Sequence, residues 1–204
     1  MDFSYHTASY HHQFDRPQSF VQHMSDIRDT YFMPINDQLD YVCRMLHEDK
    51  NFSNGLHMIG LSQGGLFVRA LVQKCNLTNV GAVVSIGGPQ QGIFGIPKCT
   101  AIFIDYLTSV VQAQYWHDPL KEDVYRQYSQ FLADINQENL FGFYQGGTTS
   151  NVTKLEDSPL YTEDRLGLQT LDKRGDLHFL RKDGDHLKFD GWWFSHNIVI
   201  PFLN

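Results

Sequence analysis

With 204 residues, 42% of them hydrophobic and 14% aromatic, the chain carries enough apolar side chain for one packed domain, with or without a cap, and too much for a disordered protein. A net charge of −7 and the lack of a basic stripe interleaved with aromatics argue against a nucleic-acid partner, and no run approaches the roughly eighteen apolar residues that cross a bilayer. Ten histidines make the charge depend on compartment: at about pH 5 their protonation takes the sum to roughly +3.

Residues 1–23 are polar and aperiodic, with His6, His11 and His12 and no apolar core of a signal peptide. They are expected to form a poorly ordered extension, and the chain as written is expected to stay in the cytosol. The folded domain is then 24–204. Apolar positions Ile35, Leu39, Val42 and Leu46 keep helical spacing behind Pro34, and Asn51 to Gly55 end that helix. Leu56 to Ile59 is a short apolar strand. Gly60-Leu61-Ser62-Gln63-Gly64 follows without a spare residue, and Leu66, Phe67, Ala70 and Leu71 give the next helix a buried face up to Cys75. Val80 to Ile86 is a continuous apolar run, which reads as a buried parallel strand, so that residues 56–86 form a βαβ unit.

Strand, Gly-x-Ser-x-Gly and helix together are the nucleophile elbow of an α/β hydrolase. The turn is so tight that small residues must flank the serine, which is left standing above the sheet. Ser62 is therefore the candidate nucleophile, and the backbone N–H of Gln63 a candidate oxyanion donor.

Beyond the βαβ unit, residues 101–113 are apolar on most faces and read either as a buried helix or as the lip of an apolar groove; Tyr115 to Pro119 is a turn. Val124, Tyr128, Phe131, Leu132 and Ile135 mark one amphipathic helix, giving a helical insertion over about 100–136. Asp176 to Leu180 is expected to be a strand, with 181–186 the loop that leaves it. Trp192 to Leu203 closes the chain as an aromatic-rich helix or helix-like tail. A histidine in the loop after the last strand is where this fold keeps its base, which points to His186. His57 is the rival, but on the strand leading into the elbow it faces away from the serine. Cys43, Cys75 and Cys99 make no metal-ligand spacing, and neither metal nor other cofactor is expected. Sequons at Asn51-Phe52-Ser53, Asn76-Leu77-Thr78 and Asn151-Val152-Thr153 matter only in the secretory route.

Several strings are specific enough to suggest a family. Gly60 to Gly65 with Val68-Arg69-Ala70, Ile86-Gly87-Gly88-Pro89-Gln90-Gln91-Gly92-Ile93-Phe94-Gly95, Tyr115-Trp116-His117-Asp118-Pro119, Phe131 to Asn136, Tyr161 to Leu168 and Gly184-Asp185-His186-Leu187 resemble the lysosomal palmitoyl-protein thioesterases of the first member type. The resemblance runs from about Met24 to Asn204. It implies an α/β-hydrolase fold, Ser62 as nucleophile, His186 as base, Gln63 in the oxyanion hole, and a Cys43–Cys75 disulfide with Cys99 left over. The implied substrates are S-palmitoylated proteins or peptides and fatty acyl thioesters, and the implied location is the lysosome. The implied acyl groove is assigned to Ile93, Phe94, Ile104, Leu107 and Val111.

The departures are as informative. The family's early strands and the His-Gly loop with the second oxyanion donor have no counterpart, which leaves an unpaired apolar strand edge and an expectation of aggregation. Asn136-Gln137-Glu138 runs almost directly into Phe141-Gly142-Phe143-Tyr144, where the family places a strand and the loop bearing the triad aspartate. No catalytic acid is assigned: Asp134, Asp157 and Asp164 read as surface, loop or turn structure. The reading is a truncated α/β hydrolase and an impaired palmitoyl-protein thioesterase. Its rivals are a non-catalytic acyl-chain or protein-binding relative and a generic lipase-like esterase.

Overall fold

The structure is a computed structural model and describes residues 5–8, 19–22, 33–93, 111–118, 120–137 and 154–203. It divides into two compact units, residues 1–90 with 181–204, and residues 91–180.

The first unit is built on strand β3 (Leu56–Leu61) and strand β4 (Val80–Ile86), joined by helix α2 (Gln63–Lys74) and paired in parallel from Leu56↔Val80 to Leu61↔Ile86. Because strand side chains alternate, Met58 and Gly60 face one side and Ile59 and Leu61 the other. Helix α2 lies on β3 and β4, and helix α1 (Ile35–Glu48) packs on α2. Ile35, Leu39, Val42 and Leu46 of α1 are all buried, the four positions that helical spacing puts on one stripe. On the opposite face of the sheet, Ile59 joins Ile198 and Leu203, with Ala82, Val84, Ile86 and Trp193 packed around them. Those C-terminal residues come from α7 (Gly191–Phe194), a π turn (Ser195–Val199) and α8 (Ile200–Phe202), which run on as one helical segment, and from Leu203 just after it. Each large apolar side chain so enclosed stabilises the unit by about 1.5–3 kcal/mol.

Two features of this unit differ from the sequence reading. Strand β4 is not fully buried: Ala82, Val84 and Ile86 are half-covered by the C-terminal segment, while Val83 on the other face is 39% exposed. A continuous apolar run therefore marks a strand here without marking two covered faces. Within the expected extension, β1 (Tyr5–Ala8) and β2 (Ser19–Gln22) form an antiparallel pair, and β1 lies alongside β3. The β-forming Tyr5, Thr7, Phe20 and Val21 are the local reason for these strands.

Cys43 on α1 and Cys75 at the end of α2 are joined as a disulfide, with 5.4 Å between their Cα atoms. Cys99 lies outside the described residues.

The second unit holds α3 (Glu122–Tyr128), α4 (Gln130–Ile135), α5 (Pro159–Thr162) and α6 (Leu168–Arg174). The single amphipathic helix expected over 124–135 is broken at Ser129, which is buried and donates its hydroxyl to the carbonyls of Ala113 and Trp116. The break turns Tyr128 outward, and Tyr125 is buried in its place. His117 is also buried, held between Gln91 O and Glu122 Oε1 and stacked on Tyr125. Asp164 caps α6 through the Thr170 hydroxyl and the N–H groups of Thr170 and Gln169. These hydrogen bonds, that from the Thr170 side chain foremost, hold its carboxyl below the ordinary aspartate value.

Asp176 to Leu180 does not form a strand. The segment pairs with no strand among the described residues and leaves Phe179 71% exposed. A ladder needs a partner, and strand composition alone does not supply one.

Candidate active site

At the carboxyl end of β3 the chain turns straight into α2, and the whole turn is carried by Ser62. Its φ of 52° and ψ of −125° are left-handed values that a non-glycine residue adopts only when the surroundings impose them. The Ser62 N–H donates to Ile86 O at 2.9 Å, and Gly65 N–H returns to Ser62 O at 2.9 Å, so both sides of the turn are tied down. A Cβ on Gly60 would strike the backbone of Gly64, and one on Gly65 would strike the Ser85 hydroxyl. That is the steric reason for glycine at positions 60 and 65.

Gln63 begins α2 and is buried. The first N–H groups of a helix point out of its end, toward the side on which the serine stands. Behind the elbow, Gln90 braces strand against helix. It accepts from Arg69 Nε at 2.6 Å and donates to Ser85 Oγ at 2.8 Å and Gly65 O at 3.1 Å.

His186 sits in the loop 184–188, where Gly184 (φ 134°) and Leu187 (φ 60°) supply the backbone reversals and Lys188 N–H closes on Asp185 O at 3.0 Å. Its Nε2 lies 2.9 Å from Ser62 Oγ, across 124 residues of sequence. With Nε2 unprotonated this nitrogen accepts the hydroxyl proton, which is the geometry a general base requires. Among the described residues no carboxylate meets the other ring nitrogen, Nδ1. Asp134 is exposed on α4, Asp157 lies in a short turn (Leu155–Asp157), and Asp164 is committed to its cap. His57 accepts from Ala82 N–H at 2.8 Å, on the sheet rather than at the serine.

Of the residues assigned to an acyl groove, Ile93 is half-buried in a bridge with Trp116 and Val111 is fully buried. Phe94, Ile104 and Leu107 lie outside the described residues.

Sequence reasoning missed Gly87. It ends β4 at φ 62°, and a Cβ there would come within 2.8 Å of His186 Cε1 and 3.0 Å of its Nδ1. The glycine leaves room for the imidazole to lie against the strand end. The Gly-Gly-Pro punctuation after an apolar run was the available signal for a close approach at this point. Gly87→Ala should therefore displace the ring and slow fluorophosphonate labelling of Ser62 by roughly 10–10²-fold, with little change in circular dichroism. Unchanged labelling would mean that the ring position does not depend on this gap.

Comparison with known proteins identifies the family. A family model described as palmitoyl protein thioesterase matches residues 6–140 and 137–186. Palmitoyl-protein thioesterase 1 of Caenorhabditis elegans is 32% identical over 227 residues, covering 87% of this chain and 76% of the relative. Palmitoyl-protein thioesterase 3 of Dictyostelium discoideum is 31% identical, covering 74% and 68%. Lysosomal thioesterase PPT2 of Mus musculus is 29% identical, covering 59% and 56%. The nematode alignment is longer than the 204-residue chain itself, so that relative carries residues with no counterpart here, and the family model is matched in two pieces that meet at 137–140. This chain thus belongs to the palmitoyl protein thioesterase family and has that family's α/β-hydrolase fold.

Proposed function

We propose that the chain acts on fatty acyl thioesters of S-palmitoylated proteins or peptides, with Ser62 as nucleophile, His186 as general base and the Gln63 N–H as an oxyanion donor. The reading is carried by one observation, the 2.9 Å approach of His186 Nε2 to the elbow hydroxyl. Ser62 Oγ attacks the thioester carbonyl as His186 takes its proton. Negative charge then develops on the carbonyl oxygen near the start of α2, where backbone N–H groups are worth most. The cysteine sulfur departs readily because a thiol has a pKa of about 8.5, far below that of an alcohol. Water activated by the same histidine releases the fatty acid from Ser62.

The residues proposed to contact the acyl chain are the apolar Ile93, Phe94, Ile104, Leu107 and Val111, and no cofactor is proposed. The lysosome is the proposed location, on the strength of relatives named lysosomal thioesterases. We expect turnover to be impaired, because among the described residues no carboxylate supports His186. A non-catalytic acyl-binding role is the second reading, and it is favoured by the lack of a carboxylate on Nδ1 among the described residues.

A fluorophosphonate probe tests the assignment. It should label Ser62, the adduct should be located there by peptide mapping, and Ser62→Ala should abolish it. Labelling elsewhere, or none, would overturn the nucleophile; palmitoyl-peptide binding without any adduct would favour the second reading.

A further inference from the structure

Two of the three sequons lie among the described residues, and the fold brings them to one rim of the first unit. Asn51 sits in a one-turn helix after α1 (Lys50–Phe52), and Asn76 follows Cys75 in a left-handed conformation (φ 47°). Asn51, Ser53, Asn76 and Thr78 are all exposed. Each turn leads into a strand, the first into β3 and the second into β4. The parallel register, starting at Leu56↔Val80, puts these two entrances side by side. Phe52, Ser53, Leu77 and Thr78 even line the same shallow pocket. Ser62 stands at the other end of β3, about 20 Å away at ~3.3 Å per residue. Cys75, the residue before Asn76, is bonded to Cys43, and such bonds persist in the oxidising compartments where asparagine is glycosylated.

We propose that Asn51 and Asn76 both carry N-linked glycans, which cover the rim of the sheet opposite the elbow. The inference rests on the secretory-route part of the reading above. In each transfer the asparagine side-chain nitrogen bonds to the anomeric carbon of a lipid-pyrophosphate-linked oligosaccharide. The anomeric carbon–oxygen bond breaks, the amide gives up one proton, the lipid pyrophosphate leaves, and nothing is oxidised or reduced. The Ser53 and Thr78 hydroxyls two residues on complete the acceptor pattern. Because both sites lie at the strand entrances, two bulky hydrated glycans occupy that rim and leave the approach to Ser62 clear.

The full chain is expressed behind a cleavable secretory leader in a glycosylating host, so that the outcome does not depend on its native route. Enzymatic deglycosylation in heavy-oxygen water should convert Asn51 and Asn76 to labelled aspartate, read by peptide mass spectrometry. Ser53→Ala should remove the first mark and Thr78→Ala the second, with Ser62 labelling retained in both. Folded, secreted parent chain with either asparagine bare overturns the proposal, whatever the state of Asn151. Full occupancy behind the leader, with no glycan on chain isolated from its natural source, supports the sites and overturns the lysosomal route instead.

Discussion

Purified chain should hydrolyse an acyl-cysteine peptide about 10⁴-fold more slowly than a relative whose histidine is backed by a carboxylate. The partner of His186 Nδ1 does two jobs in such a triad: it selects the tautomer that leaves Nε2 free to accept, and it stabilises the imidazolium formed when Ser62 gives up its proton. Among the described residues neither job is done. The nucleophile itself remains in place, so slow reaction of Ser62 with a fluorophosphonate is compatible with near-background turnover. The expected deficit has an address. The family match breaks at 137–140, where the sequence passes from Asn136-Gln137-Glu138 to Phe141 almost at once. Inserting a strand and an acid-bearing loop there should raise turnover, and that gain should vanish in Ser62→Ala and in His186→Ala. Robust Ser62-dependent hydrolysis by the chain as it stands would mean that another carboxylate serves the ring, and would defeat the argument.

Reducing the Cys43–Cys75 bond should lower the melting temperature by about 10 °C. The bridge closes a loop with a sequence separation of 32, and chain-entropy arguments give a stabilisation of about 3–4 kcal/mol for such a loop. For a chain of this size each kcal/mol corresponds to roughly 2–4 °C. The effect acts on the first unit, because the bond ties α1 to the end of α2 and α2 carries the elbow. His47 on α1 adds a second tie, its Nε2 lying 2.8 Å from Cys75 O. Melts with and without reductant, compared with Cys43→Ser, check this. Coincident melts of oxidised and reduced chain would show that packing alone sets the stability.

Local pattern made the first unit readable. Helical spacing placed Ile35, Leu39, Val42 and Leu46 inside, and an apolar strand before Gly-x-Ser-x-Gly located Ser62. His186, expected in a loop downstream of the elbow, lies beside Ser62, although the strand expected before that loop does not form. What escaped depends on contacts distant in sequence. Asp176–Leu180 has strand composition but no ladder to join. Ser129 breaks a helix because carbonyls of Ala113 and Trp116 capture its hydroxyl. Gly87 reads as a turn residue until the imidazole that lies against it is known.

The distance in sequence between Ser62 and His186 also orders events in time. Residues 56–86 contain both parallel strands and their helix, so the elbow needs only a local closure. The histidine is supplied from 124 residues further along, and the C-terminal segment that follows it must dock on Ile59, Val84 and Ile86. Closing long loops costs entropy that short ones do not, and such contacts form late. During synthesis the serine therefore emerges, turned and exposed, well before its base has been made. Reactivity arrives only once His186 and the segment that docks behind it have been made, so labelling of Ser62 reports folding of this unit rather than the presence of the elbow.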